Sequence, residues 1–363
     1  MKTITKEFVC DCHYNLSRLG DPERLLFFDI ETTGLSSKKD MVYLIGCTYL
    51  RGGSWHMKQW FADSLEAEAE LLLHFFLFAS RFSLLIHFNG DSFDLPFLKE
   101  RASHHHTPVS GHIPKSFDLY RNLKPLKKLL GLADCRQKTL EAFLGTGRED
   151  PYDGGRLIHF YWRYLRTSEA ALYDALLLHN EEDVKGLPAL LSLLSYRDLF
   201  LEELRPVSER LTPPEKANSC SRELLVTCTH DSCVLPVPFQ FSAENCLISG
   251  RESTLILQIP LSEGTMKYFF RDYANYYYLP EEDQAIHKSV AVFVDPSRRQ
   301  KATAKTCYQK HTGLFFPMSG DLPKDRPHFY SEYKKNPPCL EYTEGVFLDS
   351  SFLQKFLLAT LPK

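Results

Sequence analysis

Three places in the 363-residue sequence put carboxylates where a folded core should exclude them. The first is Asp29-Ile30-Glu31, at the end of the apolar run Leu25-Leu26-Phe27-Phe28. Side chains alternate along a strand, so Asp29 and Glu31 share a face. Adjacent carboxylates repel, and desolvation sharpens the penalty. A divalent cation removes both problems, because hard cations such as Mg²⁺ or Mn²⁺ take oxygen ligands. A polar strand end in solvent is the plain alternative. The second place is Asn89-Gly90-Asp91-Ser92-Phe93-Asp94, after the apolar run Leu84 to Phe88. Asp94 opens an apolar helical pattern, where an acid also complements the helix dipole. Asp91 has the same option and is the better candidate for a cap. The third is His179-Asn180-Glu181-Glu182-Asp183. If this region is helical, Leu176, Leu187, Leu190 and Leu194 form an apolar stripe on which Asp183 falls. His179, four residues earlier, faces the same site. Alternatively Asn180 caps a new helix with the three acids in its first turn. That account leaves His179 unexplained. Together the three places offer four carboxylates and a histidine. Two-metal hydrolysis needs such a set: carboxylates hold two cations about 4 Å apart, one activating water and the other stabilising the leaving oxygen.

The elements that must position these groups can be read from periodicity. Leu25 to Ile30 suits a strand buried on both faces. Val42 to Leu50 and Trp55 to Phe61 are rich in β-formers, with a hairpin turn at Arg51-Gly52-Gly53-Ser54. Ser64 can cap a helix running to about Ser80. Leu84 to Phe88 is the next strand, and Phe117-Asp118-Leu119 a short fifth. Helical patterns cover Phe93 to Arg101, Asn122 to Leu130, Thr139 to Leu144, Arg156 to Arg166, and a long pair from Ser168 to Ser195. The order predicts an α/β domain, a mixed five-stranded sheet with helices on its faces.

At these residues the chain resembles a known family. Phe28 to Leu35 resembles the first motif of the DEDD exonucleases of the ribonuclease-H-like superfamily, Asn89 to Asp94 the second and His179 to Asp183 the third. The nearest subgroup is the YprB-like ribonuclease-H-like domain, whose middle region resembles Asp118-Leu119, Leu140-Glu141 and Gly147-Arg148-Glu149-Asp150. The resemblance covers about residues 22 to 195. It implies a 3′–5′ exonuclease in which Asp29, Glu31, Asp94 and Asp183 bind two Mg²⁺ or Mn²⁺. His179 would orient or deprotonate the attacking water. Thr32, Asn89 and Phe93, inside the same motifs, are the expected substrate contacts. One departure is plain: a histidine stands here at the spacing that the family's tyrosine variants use.

Bulk properties bound the rest. A net charge of −3 gives no overall attraction to nucleic acid, so any pull on phosphate must come from local patches or bound cations. No apolar run reaches the length of a membrane span; Leu71 to Phe82 is too short and contains His74 and Arg81. Without a secretory pattern at the N-terminus, the ten cysteines read as reduced thiols in a cytoplasmic protein. Cys10, Cys12, Cys220, Cys228 and Cys233 fit no paired zinc spacing and read as small buried hydrophobes. The run His104-His105-His106, with His112 nearby, reads as a solvated loop. Arg121, Lys124, Lys127 and Lys128 are either a backbone-contact surface or an ordinary exposed helix face.

Arg205 to Asn218, with Pro206, Pro213 and Pro214, lacks periodicity and reads as a linker. We therefore expect an N-terminal extension at 1–21, a nuclease domain at 22–200, a linker at 201–219 and a smaller β-rich accessory domain at 220–363. In the last, Leu224 to Thr227, Val234 to Phe241, Thr254 to Ile259 and Met266 to Phe270 look like strands, with turns at Ser249-Gly250 and Ser262-Glu263-Gly264. Pro236 and Pro238 confine the second strand to a sheet edge, and Asp349 to Leu358 reads as a helix. Lys267, Tyr268, Phe269, Phe270, Arg271, Tyr273 and Tyr276 to Tyr278 interleave aromatics with cations, and Arg298, Arg299, Lys301, Lys305 and Lys310 follow. Such a pattern suits single-stranded RNA or DNA; an aromatic β core with a solvated basic loop is the plainer account. Two rivals to a nuclease stand at this level: a non-catalytic nucleic-acid-binding module of the same fold, and a hydrolase of small phosphoesters.

Overall fold

The computed structural model describes residues 1–108, 114–213, 221–318, 323 and 325–361. His112, Pro214 and Cys220 lie outside the described residues. The chain divides into two compact units, residues 1–197 with 235–237, and residues 198–234 with 238–363.

The first unit is built on a six-stranded sheet. Its strands are β1 (Lys2–Phe8), β2 (Leu25–Thr32), β3 (Val42–Arg51), β4 (Ser54–Phe61), β5 (Leu84–His87) and β6 (Lys115–Asp118), in the order β1-β4-β3-β2-β5-β6. β2 is antiparallel to β3 and parallel to β5, which makes the sheet mixed. The residues assigned to an N-terminal extension contain the sixth strand. β1 pairs along its whole length with β4 but buries none of its residues, so no hydrophobic alternation announces it. The β3–β4 hairpin turns on Gly52 and Gly53, both at positive φ (58° and 80°), as a type I′ turn requires.

Helices α1 (Glu68–Ala79), α2 (Asp94–His104), α3 (Leu119–Leu123), α4 (Gln137–Leu144), α5 (Gly154–Thr167), α6 (Ala170–Leu190) and α7 (Leu194–Leu201) complete the series. One core gathers Leu26, Phe28, Ile30 and Leu44 from the sheet with Leu72, Phe75, Tyr161 and Leu176 from helices. Ser64 precedes α1 without a capping hydrogen bond from its side chain; a 3₁₀ turn, Leu65–Ala67, starts the helix instead. The helix expected over Asn122 to Leu130 is α3 followed by a 3₁₀ turn at Lys124–Leu126, because Pro125 supplies no amide to continue it. His105 is no solvated loop residue. Its Nε2 lies 2.6 Å from the buried Glu68, which also takes both arms of Arg101, at 2.9 and 2.6 Å.

The second unit is rich in β structure. Where a linker was expected, β7 (Arg205–Leu211) pairs with β8 (Ser221–Thr229). β7 is exposed and interrupted by a register shift beyond Pro206, which hides it from periodicity. β9 (Leu235–Ser242) ends the strand path, where its prolines are tolerated, and β10 (Leu247–Glu252) runs through Ser249-Gly250 without turning. β11 (Thr254–Phe269) is a single strand of 16 residues, so Ser262-Glu263-Gly264 is not a turn. β12 (Tyr276–Leu279), β13 (Gln284–His287), the short helix α8 (Lys288–Ala291), β14 (Gln300–Lys301), β15 (Tyr308–Pro317), β16 (Phe329–Tyr330), β17 (Cys339–Glu341) and α9 (Ser350–Thr360) follow. β13-β12-β14 form a small separate sheet. Asp349 caps α9, whose Phe352 and Phe356 pack on Phe347. Cys228 and Cys233 are buried, whereas Cys10 and Cys12 keep part of their surface. Among the described residues no helix is long and apolar enough to cross a membrane.

Candidate active site

The centre lies where β2 leaves the sheet. β2 carries Asp29 and Glu31, and the β2–β3 register slips between Glu31 and Thr32, at the strand's working end. A bulge there re-aims the chain beside a site without unravelling the ladder. α2 begins at Asp94, which is buried. α6 runs through the third motif unbroken, with Asn180 fully buried inside it. Asn180 is therefore not a cap, and His179 and Asp183 share one helical face.

Distances tie these groups into one constellation. His179 Nε2 is 3.3 Å from Asp183 Oδ2 and 3.6 Å from Glu31 Oε1. The ligand atoms of Glu31, His179 and Asp183 all lie within 4.8 Å of one another. Asn180 Nδ2 donates to Asp29 Oδ2 at 3.2 Å, while Gln59 Nε2 donates to Asn180 Oδ1 at 3.0 Å and so fixes the amide's orientation. Gly46 lies opposite Asp29 on β3, and a Cβ there would stand 2.0 Å from Asn180 Oδ1. The glycine makes room for that amide.

Burial and mutual repulsion act on these acids together. Desolvation first, then repulsion from Asp183 and Asp94, raises the Asp29 and Glu31 carboxyls well above the usual carboxylate range. Burial pushes Asp94 up to about 7, against backbone hydrogen bonds at Asp94 and Ile30, with Asp118 and Asp183 adding repulsion. Among the described residues neither Asp29 nor Asp94 has a basic partner. A donor set of this kind fits a hard divalent cation: carboxylate oxygens, crowded, desolvated and short of positive charge.

Several participants have roles that the sequence did not state. Asp150, almost fully buried, lies 2.5 Å from His179 Nδ1, which leaves Nε2 turned toward Glu31 and Asp183. Arg148 binds Asp183 Oδ1 at 2.6 Å through Nη1 and Glu141 Oε1 at 2.8 Å through Nη2. Glu182 accepts from the Glu149 and Asp150 amides at 2.7 and 3.0 Å, pinning that loop to α6. The matched segments Leu140-Glu141 and Gly147 to Asp150 located these residues, but no local pattern states their duties.

Other expectations fare differently. Asp91 does not cap α2; it accepts from Ser116 Oγ at 2.5 Å and Arg121 Nη1 at 2.7 Å. Asp118 holds the turn instead, through the Asn89 and Asp91 amides at 3.0 and 3.3 Å. Arg121 is thus engaged by an acid. Of the expected substrate contacts, Thr32 gives its hydroxyl to the Gly34 carbonyl at 2.7 Å and Phe93 packs on Phe97, while Asn89 is exposed at φ 61°. In the second unit, Arg298 is paired with Glu281 and Glu282, and Lys310 lies 2.7 Å from Asp283. Those two cations are neutralised.

Residues 26–195 match the RNase_H_2 family model, described as RNase_H superfamily. This part of the chain has the ribonuclease-H-like fold. Around it, 70% of the chain is similar to 35% of the family B DNA polymerase of the archaeon Pyrobaculum calidifontis, at 13% identity and a TM-score of 0.38. Product-bound exonuclease I shares 12% identity over 56% of this chain and 57% of its own, with a TM-score of 0.32. The E. coli exonuclease I complex with a dT13 oligonucleotide shares 12% over 55% and 54%, with a TM-score of 0.31. The chain therefore spans about a third of the polymerase and just over half of exonuclease I. No curated protein matches it.

Proposed function

We propose that the ribonuclease-H-like domain, residues 22–200, is a divalent-cation-dependent nuclease that degrades single-stranded RNA or DNA from the 3′ end, and that residues 220–363 are an accessory domain. The observation that carries this reading is the convergence of Asp29, Glu31, Asp94 and Asp183 with too little positive charge to balance them. The 3′ polarity and the likeness to the YprB-like subgroup rest on the sequence motifs.

Asp29, Glu31, Asp94 and Asp183 would hold two Mg²⁺ or Mn²⁺, which supply positive charge for the phosphodiester and an acidified water. The remaining work falls to the chain's own groups. His179 can take a proton at Nε2, the nitrogen that faces Glu31 and Asp183. Asp150 accepts from Nδ1 and so fixes the ring's tautomer and direction. Arg148 holds Asp183 in place from the side away from His179, since the two bind different oxygens of that carboxylate. Asn180 does the same for Asp29.

The test uses Asp29→Asn and Asp183→Asn. Each should abolish Mn²⁺-dependent shortening of an oligonucleotide labelled at either end, with an unchanged circular dichroism spectrum. A 5′-labelled substrate should give a ladder and a 3′-labelled one a released mononucleotide. Full activity in both variants would sink the proposal.

A further inference from the structure

The second unit contains a cavity of about 490 Å³ that includes Phe270, Arg271, Tyr273, Tyr330, Tyr333 and Lys334 in its wall. Its size lies within the range of small-ligand sites, roughly 300 to 1,000 Å³. Two strands and the segments that follow them build it. The end of β11 supplies Phe269, with Phe270 just beyond it, β16 supplies Tyr330, and the segment after β16 brings Tyr333 and Lys334. Phe269 ties them together, with its ring 6.1 Å from Tyr330 and 5.3 Å from Tyr333. On the other side Phe270 stacks on Tyr276 at 4.5 Å, an interplanar angle of 17°. The aromatic wall is therefore braced from behind.

Two features separate this cavity from an ordinary aromatic core. Tyr273 keeps 46% of its surface, so a large planar ring stands free beside the opening. Arg271 and Lys334 are exposed, and among the described residues neither has a carboxylate partner. Four nearby cations are engaged: Arg298 and Lys310 by acids, Lys267 over the Tyr308 ring at 4.1 Å, and Arg299 over Tyr277 at 5.0 Å. Asp283 is likewise consumed by Tyr278 and Lys310. What remains is a ring-lined cavity with two positive charges at its rim that no carboxylate neutralises, Lys334 lying over the Tyr333 ring of the cavity wall at 5.3 Å.

We propose that this cavity takes a base of single-stranded nucleic acid, stacked on Tyr273 and the rings behind it, with Arg271 and Lys334 against the flanking phosphates. Stacking on an aromatic ring tolerates every base, and cations beside it follow the backbone, so the site grips strands without reading sequence. The choice of nucleic acid over another planar anion rests on the nuclease reading of the first unit. A proline-rich peptide is the other occupant that an aromatic wall can take, but it gives the two cations nothing to neutralise.

The experiment follows fluorescence anisotropy of labelled oligothymidylate and oligouridylate, each about 12 nucleotides long, with the full chain in EDTA so that no strand is cut. Tyr273→Ala combined with Arg271→Ala should weaken binding of both by about tenfold or more. The same double variant should hydrolyse a dinucleotide with Mn²⁺ at the unaltered rate. Lys334→Gln alone should reduce the salt dependence of binding without altering the far-ultraviolet circular dichroism. Equal affinity in wild type and double variant, no oligonucleotide binding by the wild type, or displacement of the strand by a proline-rich peptide but not by unlabelled strand would each overturn the proposal. Should variant-sensitive binding occur in a chain that cuts nothing, the nuclease reading fails and this site stands.

Discussion

The Asp94 carboxyl, pushed up to about 7 by burial, links the protonation of the centre to the stability of the fold. An acid whose folded pKa exceeds its unfolded value of about 3.9 holds its proton more tightly when folded. The folded state is favoured on the acid side, and that advantage is lost as pH rises from about 4 through 7. Asp29 and Glu31 shift in the same direction. Asp150 is shifted down: burial raises it, but the His179 bond, the Tyr152 amide and the charges of His179 and Lys138 together outweigh that burial, so its stabilisation is present above about pH 4 and is lost only below it. Cation-free protein should therefore melt at a lower temperature at pH 8 than at pH 5, and Mn²⁺ should restore the difference at pH 8. A flat melting profile in EDTA would contradict this. Asp150→Asn should lower the rate about 10- to 100-fold, the usual effect of losing a histidine's outer partner, measured as kcat with saturating Mn²⁺. Asp29, Glu31 and Asp94 were legible as residues because their neighbours are apolar, and Asp183 because it falls on an apolar helical stripe. Asp150 was not, because its partner is 29 positions away and nothing in its own surroundings is anomalous.

At the level of elements, two glycines decide how closely α6 approaches its neighbours. A Cβ at Gly46 would meet Asn180 Oδ1 at 2.0 Å, and one at Gly186 would meet Glu141 Oε1 at 2.1 Å. Both contacts are too short to keep. Gly46→Ala should cost about 1–3 kcal/mol in urea unfolding and should also lower activity, since Asn180 must leave Asp29. Wild-type stability and rate in this variant would show that the amide moves freely. The strands that periodicity revealed, β2 to β5, bury a face or more. Those it missed are held by ladders and little else. β1 and β7 bury no side chain fully, and β11 passes through Ser262-Glu263-Gly264 because β8 pairs with it on one side of that point and β15 from there onward. A three-residue turn propensity is outweighed by that many backbone hydrogen bonds. No local window contains the partners that make the difference.

For the whole molecule, a net charge of −3 means that long-range attraction cannot gather nucleic acid. Capture must come from a few committed contacts. If Arg271 and Lys334 are the two phosphate partners in the second unit, the slope of log K against log salt for a single strand should be shallow, near −1.4, at about 0.7 per contact. A slope several times steeper would mean that other cations carry the binding. The division into two units was visible as a change from helical to strand-like patterning, whereas its position was blurred by β7, which fills part of the apparent linker. One edge of the first sheet has a practical consequence. β1 covers β4 from Lys2↔Phe61 to Phe8↔Trp55, and its exposed side chains include Lys2, Lys6 and Glu7. Charged residues on an outer strand discourage a second molecule from adding to the sheet. Deleting residues 2–8 would bare the amides and carbonyls of β4 beside Trp55, Met57 and Trp60, with the single lysine Lys58 in place of that guard. The shortened chain should self-associate, giving a concentration-dependent mass by light scattering, and a strictly monomeric product would show that β4 is screened in some other way.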